Sequence, residues 1–437
     1  MKTIVFYAYK GGTGRTLALA NMATYLAQIG MRVVALDFDL EAPGLHYKLH
    51  RPSTVATGPT EESEGRLPRG VMGYMADALR DGEAPPNLGP YILDVTPQPV
   101  SGGSTEGNLT LIPAGPAPAA PYWLLSQAVR LDRMLADQPD MAVAILAELK
   151  GQIEHELRPD LLLVDGRTGI VPSNAVAVRL WADHVAVFAI PTREHLAGAA
   201  MVLDEIAAEV RPDGSKIETT LVLSRLPDEP LQFDGKTLEK PLEELLGPFP
   251  STTLPEQVVR LRTDSALQEG EFLHLQGWAR KGHSRLTDDY FDLLRMLSPE
   301  ADGAHDRAIQ RRVTEIKASI LETGDPNEVT KQLSELAGFT NHWAALDGRV
   351  WAIRVLQTQR PEQPEHALDL LSMMTPADLA RSTQIEPVLV YYLERLRPPT
   401  PSEANALQPL LNSLPPGHRL VAGFRQLLPG ARPEPGT

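Results

Sequence analysis

The chain has 437 residues, 43% of them hydrophobic, which is enough for two or three globular domains with cores of their own. It contains no cysteine, and this excludes disulfides, iron–sulfur clusters, thiolate zinc sites and cysteine nucleophiles. The formal net charge of −15 argues against a surface built mainly to hold DNA or anionic lipid, because both need a positive field.

The hydropathy of the chain does not predict a membrane protein. No apolar run reaches the roughly 18 to 20 residues that a membrane-spanning helix needs. The N-terminal residues lack the basic, apolar and small-residue order of a signal peptide, so we expect a cytoplasmic protein. The basic segment 418–430 is partly amphipathic, but its short length and the acidic chain favour a helix packed on its own domain over membrane binding.

Six short apolar runs, separated by helical stretches, predict the strands of a sheet. They are residues 3–9, 32–38, 109–113, 161–164, 184–190 and 219–223. Several are apolar without alternation, which is typical of strands covered on both faces by crossover helices. Residues 16–29 and 194–210 have helical spacing, and the first of these stretches stops at Gly30. We therefore expect an α/β fold with a doubly wound, mostly parallel sheet, and exposed loops at 51–70 and 98–108.

The strand signals end near residue 299. Beyond it, apolar helical patterns follow starts in which a capping side chain precedes proline and an acid, at 325–328, 375–378 and 400–403. We therefore predict two domains, an α/β domain over residues 1–299 and an all-α domain over 300–437. The tail 431–437 is expected to be disordered.

The turn after the first predicted strand is rich in glycine and carries two cations. It reads Lys10-Gly11-Gly12-Thr13-Gly14-Arg15-Thr16. Glycines let backbone N–H groups converge on anionic oxygens, and the following helix directs its positive end to the same place. The turn therefore predicts a phosphate-binding loop, in which Arg15 replaces the lysine that such loops usually carry.

Three acids lie at or just after the ends of predicted strands. Asp37 and Asp39 lie in the stretch DFDLEAPG, and Asp165 ends the apolar run LLLVD. Ligands of open α/β sheets bind at the carboxyl edge, where these acids are expected. An acid at the end of a buried strand also suits Mg²⁺, held through a water. The loop and the acids together predict a nucleotide site.

These motifs resemble the deviant phosphate-loop (Walker A) ATPases of the ParA/MinD group, whose loop reads Lys-Gly-Gly-x-Gly-Lys-Ser/Thr. The resemblance covers roughly residues 1 to 295 and includes LTLIPAG at 109–115, PTREHLAGA at 191–199 and LVLSR at 221–225. It fails at Arg15. The chain looks most like a subgroup with the loop Lys-Gly-Gly-Val-Gly-Arg, and VDGRTG at 164–169 is similar to that subgroup's acid-x-Arg-Thr-Gly.

The resemblance implies an ATP-dependent homodimer that uses Mg²⁺. By position, Lys10 would reach the partner's phosphates, and Thr16 would ligate the metal. Asp39 would position the attacking water, with a place in the metal shell as its alternative role. Asp165 would hold the metal through its shell. Ser224 and Arg225 are found where the family's base-contacting Asn-Arg usually falls, and the serine departs from that pattern.

Two unusual arginines leave the chemistry open. Arg15 keeps the positive charge of the usual lysine but is planar and bulkier. Either it clamps phosphates and hydrolysis is slow, or the loop binds ATP without hydrolysing it; the retention of Asp39 favours hydrolysis. Arg167, two residues past Asp165, is either a structural salt bridge or a transition-state clamp on the γ-phosphate.

The main functional hypothesis is an ATPase that switches between monomer and ATP-bound homodimer and presents its helical domain to a protein partner. By analogy alone, the subgroup points to bacterial multi-gene systems of defence or conflict. One alternative is a partition or positioning ATPase that binds DNA as a dimer, against which the net charge counts. The other is a scaffold that binds ATP without hydrolysing it.

Overall fold

A computed structural model describes most of the first 322 residues. The described residues are 1–50, 67–97, 107–116, 120–209, 211, 214–227, 232–233, 236–237, 257–264, 267, 273–275, 285–322, 332, 348 and 351. The predicted helix starts at 325, 375 and 400, the segment 418–430 and the tail 431–437 lie outside the described ranges, as do most of the two predicted loops.

Eight strands form one sheet, and two short strands form a separate pair. In chain order they are β1 Lys2–Ala8, β2 Arg32–Asp37, β3 Leu93–Asp94, β4 Asn108–Ile112, β5 Leu161–Thr168, β6 His184–Ala189, β7 Glu218–Leu226, β8 Gln232–Phe233, β9 Lys236–Thr237 and β10 Val258–Arg262. The order across the large sheet is β10-β7-β6-β1-β5-β2-β4-β3, and β8 pairs with β9.

The sheet is parallel except at one edge, where β3 runs antiparallel to β4. All six predicted strands are present, and the predicted doubly wound, mostly parallel sheet is confirmed. Four further strands were not predicted: β8 and β9 of the separate pair, and β3 and β10 of the large sheet. β3 has only two residues, and β10, VVRLR, lies at the other edge and alternates buried with half-buried positions. Neither therefore has the long apolar run of a central parallel strand.

Ten helices accompany these strands in the described residues. They are α1 Arg15–Gln28, α2 Leu45–Leu49, α3 Gly70–Asp81, α4 Ala120–Val129, α5 Leu131–Asp137, α6 Pro139–Gln152, α7 Pro172–Val176, α8 Arg193–Ala208, α9 Arg285–Leu297 and α10 Asp302–Glu322. Short 3₁₀ or π turns cover Gly89–Tyr91, Ile153–Leu157, Ala177–Trp181 and Pro299–Ala301. In the described part of the chain, no helix has the length and apolar character needed to cross a bilayer.

The core of the sheet lies around β1, which pairs with β5 on one side and β6 on the other. Every residue of β6 is buried, as expected for a strand between two helical layers. Helix α1 is also deeply buried over most of its length, and it ends beside Gly30, whose φ of +101° is left-handed. The first turn of α1 is therefore held at the carboxyl edge of a rigid sheet.

The chain divides into two compact units, one of residues 1–276 and 284–305 and the other of residues 277–283 and 306–437. Within the first unit, α9 contacts the edge strand β10, where the carboxylate of Asp289 accepts from the Arg262 backbone N–H at 2.7 Å. The described residues from 285 to 322 are helical, in agreement with the predicted helical C-terminal region. The domain boundary after residue 299 stays a prediction.

Candidate functional site

The glycine turn lies between β1 and α1. It leads into a helix N-terminus that has no capping or acidic side chain. Gly12 and Gly14 have φ of +78° and +77°, a left-handed backbone that suits glycine. The carbonyl of Gly14 accepts from Ala18 N at 3.0 Å, which starts the helix. No side chain caps α1, and no acid lies in its first turn. The positive end of the helix is therefore available to an anion.

Arg15, the first residue of α1, contacts two of the three acids predicted at the sheet edge. Its Nε donates to Asp165 Oδ1 at 2.6 Å, and its Nη2 donates to Asp39 Oδ2 at 3.4 Å. Nη1 is buried and has no hydrogen-bond partner among the described residues. The structure thus brings the predicted phosphate-binding arginine together with the acids predicted to hold the metal and the water.

Asp165 is fully buried at this position, with partners on α1. Burial raises the pKa of the Asp165 carboxyl, and the charge of Arg15 and the hydrogen bond from the Thr16 side chain oppose that rise. A buried carboxylate without a cation beside it is costly. Arg15 therefore supplies the charge that allows Asp165 to be ionised inside the protein.

Asp37 organises the loop that carries Asp39. Its carboxylate accepts backbone N–H bonds from Asp39 at 3.2 Å, Gly44 at 3.2 Å and Leu45 at 3.1 Å. Burial, followed by the nearby Asp165, raises the pKa of Asp37 well above its usual value. The sequence placed Asp37 at the sheet edge, and the structure shows that it shapes the loop after β2 through its hydrogen bonds.

The donor chemistry of this edge fits a divalent cation. Asp39, Asp165 and Thr16 offer two carboxylates and a hydroxyl, the hard oxygen ligands that Mg²⁺ binds. The Thr16 side chain already hydrogen-bonds to Asp165, so the three groups are close enough to act together. In this structure the guanidinium of Arg15 balances both carboxylates.

Lys10 contacts the start of α8. Its ammonium forms an ion pair with Glu194, in the first turn of that helix, and both side chains are exposed to solvent. The hydrogen bond and the charge of Lys10 lower the pKa of the Glu194 carboxyl. The predicted cross-dimer lysine is therefore at the surface, where it is accessible to another molecule.

Arg167, next to the last residue of β5, bridges two acids from different elements. Its guanidinium pairs with Glu41 in the loop after β2 and with Asp132 Oδ2 on α5 at 3.4 Å. These residues also line a cavity of about 390 Å³, which extends to Met72 on α3. Arg167 thus forms the salt bridges that a structural role would require. Its alternative role, as a transition-state clamp on the γ-phosphate, stays a prediction.

Asn174 holds the end of β5, which carries Arg167, and the start of the loop that follows. Its Oδ1 accepts from Arg167 N at 2.9 Å, and its Nδ2 donates to the carbonyls of Arg167 at 2.7 Å and Gly169 at 2.8 Å. The Tyr7 hydroxyl also donates to Gly169 O, at 2.7 Å, and burial raises the pKa of Tyr7 to about 12. The loop after β5 is therefore bound to both β1 and α7.

The two residues predicted to contact the base lie near the end of β7. Ser224 is buried, and its hydroxyl donates to Ala189 O at 3.4 Å. Arg225 is exposed and has a left-handed φ of +57°, which is rare for a residue with a long side chain. A Cβ placed on Gly12 would lie 3.8 Å from Arg225 Nη2, so this guanidinium reaches the glycine loop. Their contacts with a base stay predictions.

Three partners of the predicted residues were missed at the level of sequence. Glu194 lies between Arg193 and His195, Asn174 follows Ser173, and Asp132 follows an apolar stretch. Glu41 was within the quoted acidic stretch but was given no role. No local pattern marks such residues, because each becomes relevant only through an element distant in the chain.

Two other residues of the predicted phosphate loop differ in their surroundings. Thr13 is buried, whereas Gly11 has open space around it.

Comparison with known proteins finds that this part of the chain is similar to a family of nucleotide-binding domains. Residues 4–221 match the model described as "CobQ/CobB/MinD/ParA nucleotide binding domain". None of the curated proteins matches the chain at a significant level.

Several solved structures match the chain at low identity. The septum site-determining protein MinD of Pyrococcus horikoshii OT3, complexed with Mg-ADP, is 19% identical; the match covers 69% of this chain and 98% of that one, with a TM-score of 0.43. The MinC:MinD cell division complex of Aquifex aeolicus is 17% identical over 68% and 96%, with a TM-score of 0.44. A putative plasmid partition protein of Borrelia burgdorferi B31, bound to AMPPNP, is 13% identical over 68% and 99%, also with 0.44.

Proposed function

Since residues 4–221 match the model of the CobQ/CobB/MinD/ParA nucleotide binding domain, we propose that this chain binds ATP with Mg²⁺ and hydrolyses it slowly. The nucleotide phosphates bind at the loop of residues 10–16. ATP binding converts the protein from a monomer to a homodimer. The dimer then signals to a protein partner through the helical domain of residues 300–437.

The observation that carries this proposal is the convergence of charge at the first turn of α1. Left-handed glycines and an uncapped helix N-terminus provide N–H donors for phosphate oxygens. At the same place, Arg15 hydrogen-bonds to Asp39 and to Asp165, and the Thr16 side chain hydrogen-bonds to Asp165. Cationic and acidic groups of this kind are what phosphoryl transfer requires of a protein.

Each residue has a defined part in the proposed reaction. Arg15 and the loop N–H groups bind the phosphates, and Lys10, which is accessible at the surface, adds charge across the dimer. Asp39 accepts a hydrogen bond from the attacking water and orients it, and Asp165 with Thr16 would hold the metal. When bound, Mg²⁺ neutralises negative charge on the phosphate oxygens.

The biological setting is proposed by analogy alone. The variant loop with Arg15 is similar to that of a subgroup associated with bacterial multi-gene systems of defence or conflict, so we propose a regulatory role in such a system. A dimerising switch suits that role, because nucleotide binding then sets when the helical domain is presented to its partner.

A scaffold that binds ATP without hydrolysis is the second candidate, and one contact favours it. Asp39, the acid proposed to orient the water, is hydrogen-bonded to Arg15 in this structure. If that bond persists in the nucleotide complex, Asp39 is not free to act on water and turnover is absent.

Light scattering after size exclusion tests the switch. Wild type is expected to be monomeric alone and dimeric with ATP and Mg²⁺, whereas Lys10→Ala stays monomeric under both conditions. Glu194→Gln is the matched control, since it removes the partner of Lys10 but keeps the lysine, and it should still dimerise. An identical mass for wild type with and without nucleotide contradicts the switch.

Phosphate release separates the two candidates. Wild type is expected to release phosphate faster than Asp39→Ala, while both bind ATP with similar affinity. Equal release by the two proteins, with ATP binding intact, contradicts hydrolysis and supports the scaffold.

A further inference from the structure

We infer that Arg15 and a divalent cation compete for the carboxylates of Asp39 and Asp165, so that metal and nucleotide bind cooperatively. This inference rests on the proposed nucleotide site and concerns how that site is regulated. It assigns to Arg15 a role besides phosphate binding, which is to occupy the metal's ligands until a nucleotide is present.

The distances make simultaneous occupation by both cations unfavourable. Arg15 Nε lies 2.6 Å from Asp165 Oδ1, and Nη2 lies 3.4 Å from Asp39 Oδ2. A divalent cation held by these two carboxylates, directly or through a water, would need the oxygens that the guanidinium now occupies. The guanidinium and the metal ion would also be two positive charges side by side in a buried environment, where their repulsion is weakly screened.

The nucleotide-free protein needs this arginine. Asp165 is fully buried, and Asp37 is a third buried acid beside it. Without a cation at this point, ionised carboxylates would remain uncompensated in the interior. Arg15 therefore stabilises the empty site, and a metal must provide an equivalent charge before the arginine can leave.

Arg15 in turn needs a new acceptor when it leaves. It is itself buried, and its Nη1 already lacks a hydrogen-bond partner among the described residues. A metal that bound alone would displace the guanidinium and leave more of its donors unpaired, which is costly. Phosphate oxygens at the adjacent loop supply the missing acceptors, so nucleotide binding lowers the cost of metal binding. By linkage, the metal promotes nucleotide binding to the same extent.

Binding of Mn²⁺ to the nucleotide-free protein tests the competition directly. Free Mn²⁺ is measured by electron paramagnetic resonance during titration of wild type, Arg15→Gln and Arg15→Lys. Arg15→Gln removes the charge and is expected to bind Mn²⁺ about tenfold more tightly than wild type, within the usual range of such couplings. Arg15→Lys cannot contact both acids with one ammonium and should fall between the two.

Two controls identify the site. Arg167→Gln removes another arginine that bridges two acids, but these are Glu41 and Asp132, so its Mn²⁺ affinity should equal that of wild type. Adding Asp165→Asn to Arg15→Gln should abolish the gain. Equal Mn²⁺ affinities of wild type and folded Arg15→Gln overturn the inference. If Arg15→Gln does not fold, equal affinities of wild type and Arg15→Lys overturn it.

ADP distinguishes failure of the inference from failure of the proposed function. In wild type, saturating ADP should raise Mn²⁺ affinity by more than it does in Arg15→Gln, because only wild type must relocate the guanidinium. ADP binding with no difference between the two proteins overturns the inference alone. A wild type that binds no ADP with or without Mn²⁺ contradicts the proposed nucleotide site, whatever the Mn²⁺ titrations of the free proteins show.

Discussion

Arg15 and Arg167 are two arginines that each bridge two acidic side chains, but their surroundings differ. The Arg15 side chain is 7% exposed, and its partner Asp165 is 1% exposed. The Arg167 side chain is 25% exposed, and its partner Glu41 is 61% exposed. Water competes for the second pair and is excluded from the first. The same chemistry is therefore expected to matter far more to stability at Arg15 than at Arg167.

The largest expected effect is the loss of stability in Arg15→Ala. Removing the guanidinium leaves Asp165 buried without a cation, and breaking a buried pair in this way costs about 3 to 5 kcal/mol. Urea denaturation of wild type and variant measures the difference. Adding Asp165→Asn removes the stranded charge and should recover part of the loss. A loss below about 1 kcal/mol would show that Arg15 is no more important than a surface ion pair.

The next effect is the pH dependence of that loss. Burial already raises the pKa of Asp165, and Arg15→Ala removes the guanidinium that opposes the rise. The folded variant therefore holds a proton on Asp165 at pH values where the unfolded chain has released it. Its free energy of unfolding should rise as the pH falls from the raised folded pKa towards the usual value of 3.8.

Denaturation of wild type and Arg15→Ala between pH 8 and pH 5 measures this dependence. The difference between them should shrink by up to about 1.4 kcal/mol per pH unit, the limit for one proton. A difference that stays constant over this range would mean that Asp165 does not take up a proton in the variant.

The smallest expected effect on stability is that of Arg167→Ala. Its ion pairs are largely hydrated, and such pairs contribute about 0 to 1 kcal/mol. The backbone at the end of β5 stays in place, because Asn174 holds it through the main chain of Arg167 and not through its side chain. If Arg167 is a transition-state clamp, phosphate release should instead fall by roughly 10³-fold or more. A lower melting temperature with unchanged turnover removes the clamp and leaves a structural salt bridge.

The fold was largely predictable because its signals are local. Continuous apolar runs such as LLLVD identify the buried strands, and the glycines of residues 10–16 identify the turn that begins α1. Because parallel strands end at one edge of a sheet, Asp39 and Asp165 could be placed near this turn without coordinates. The short edge strands β3 and β10 were missed, since edge strands need no apolar run.

The residue order alone predicted that a loop with two cations lies near acids at this edge of the sheet. The structure shows Asp37 at the end of β2, Asp39 just after it and Asp165 within β5, and folding sets how these groups pair. Arg15 and Asp165 are 150 positions apart, and Arg167 and Glu41 are 126 apart. These pairs form because β5 lies between β1 and β2 in the sheet. The packing around the sheet then decides which of the two pairs is excluded from water. Partner choice and burial are properties of the assembled sheet, because the two members of each pair are too far apart in the sequence for a local pattern to include both.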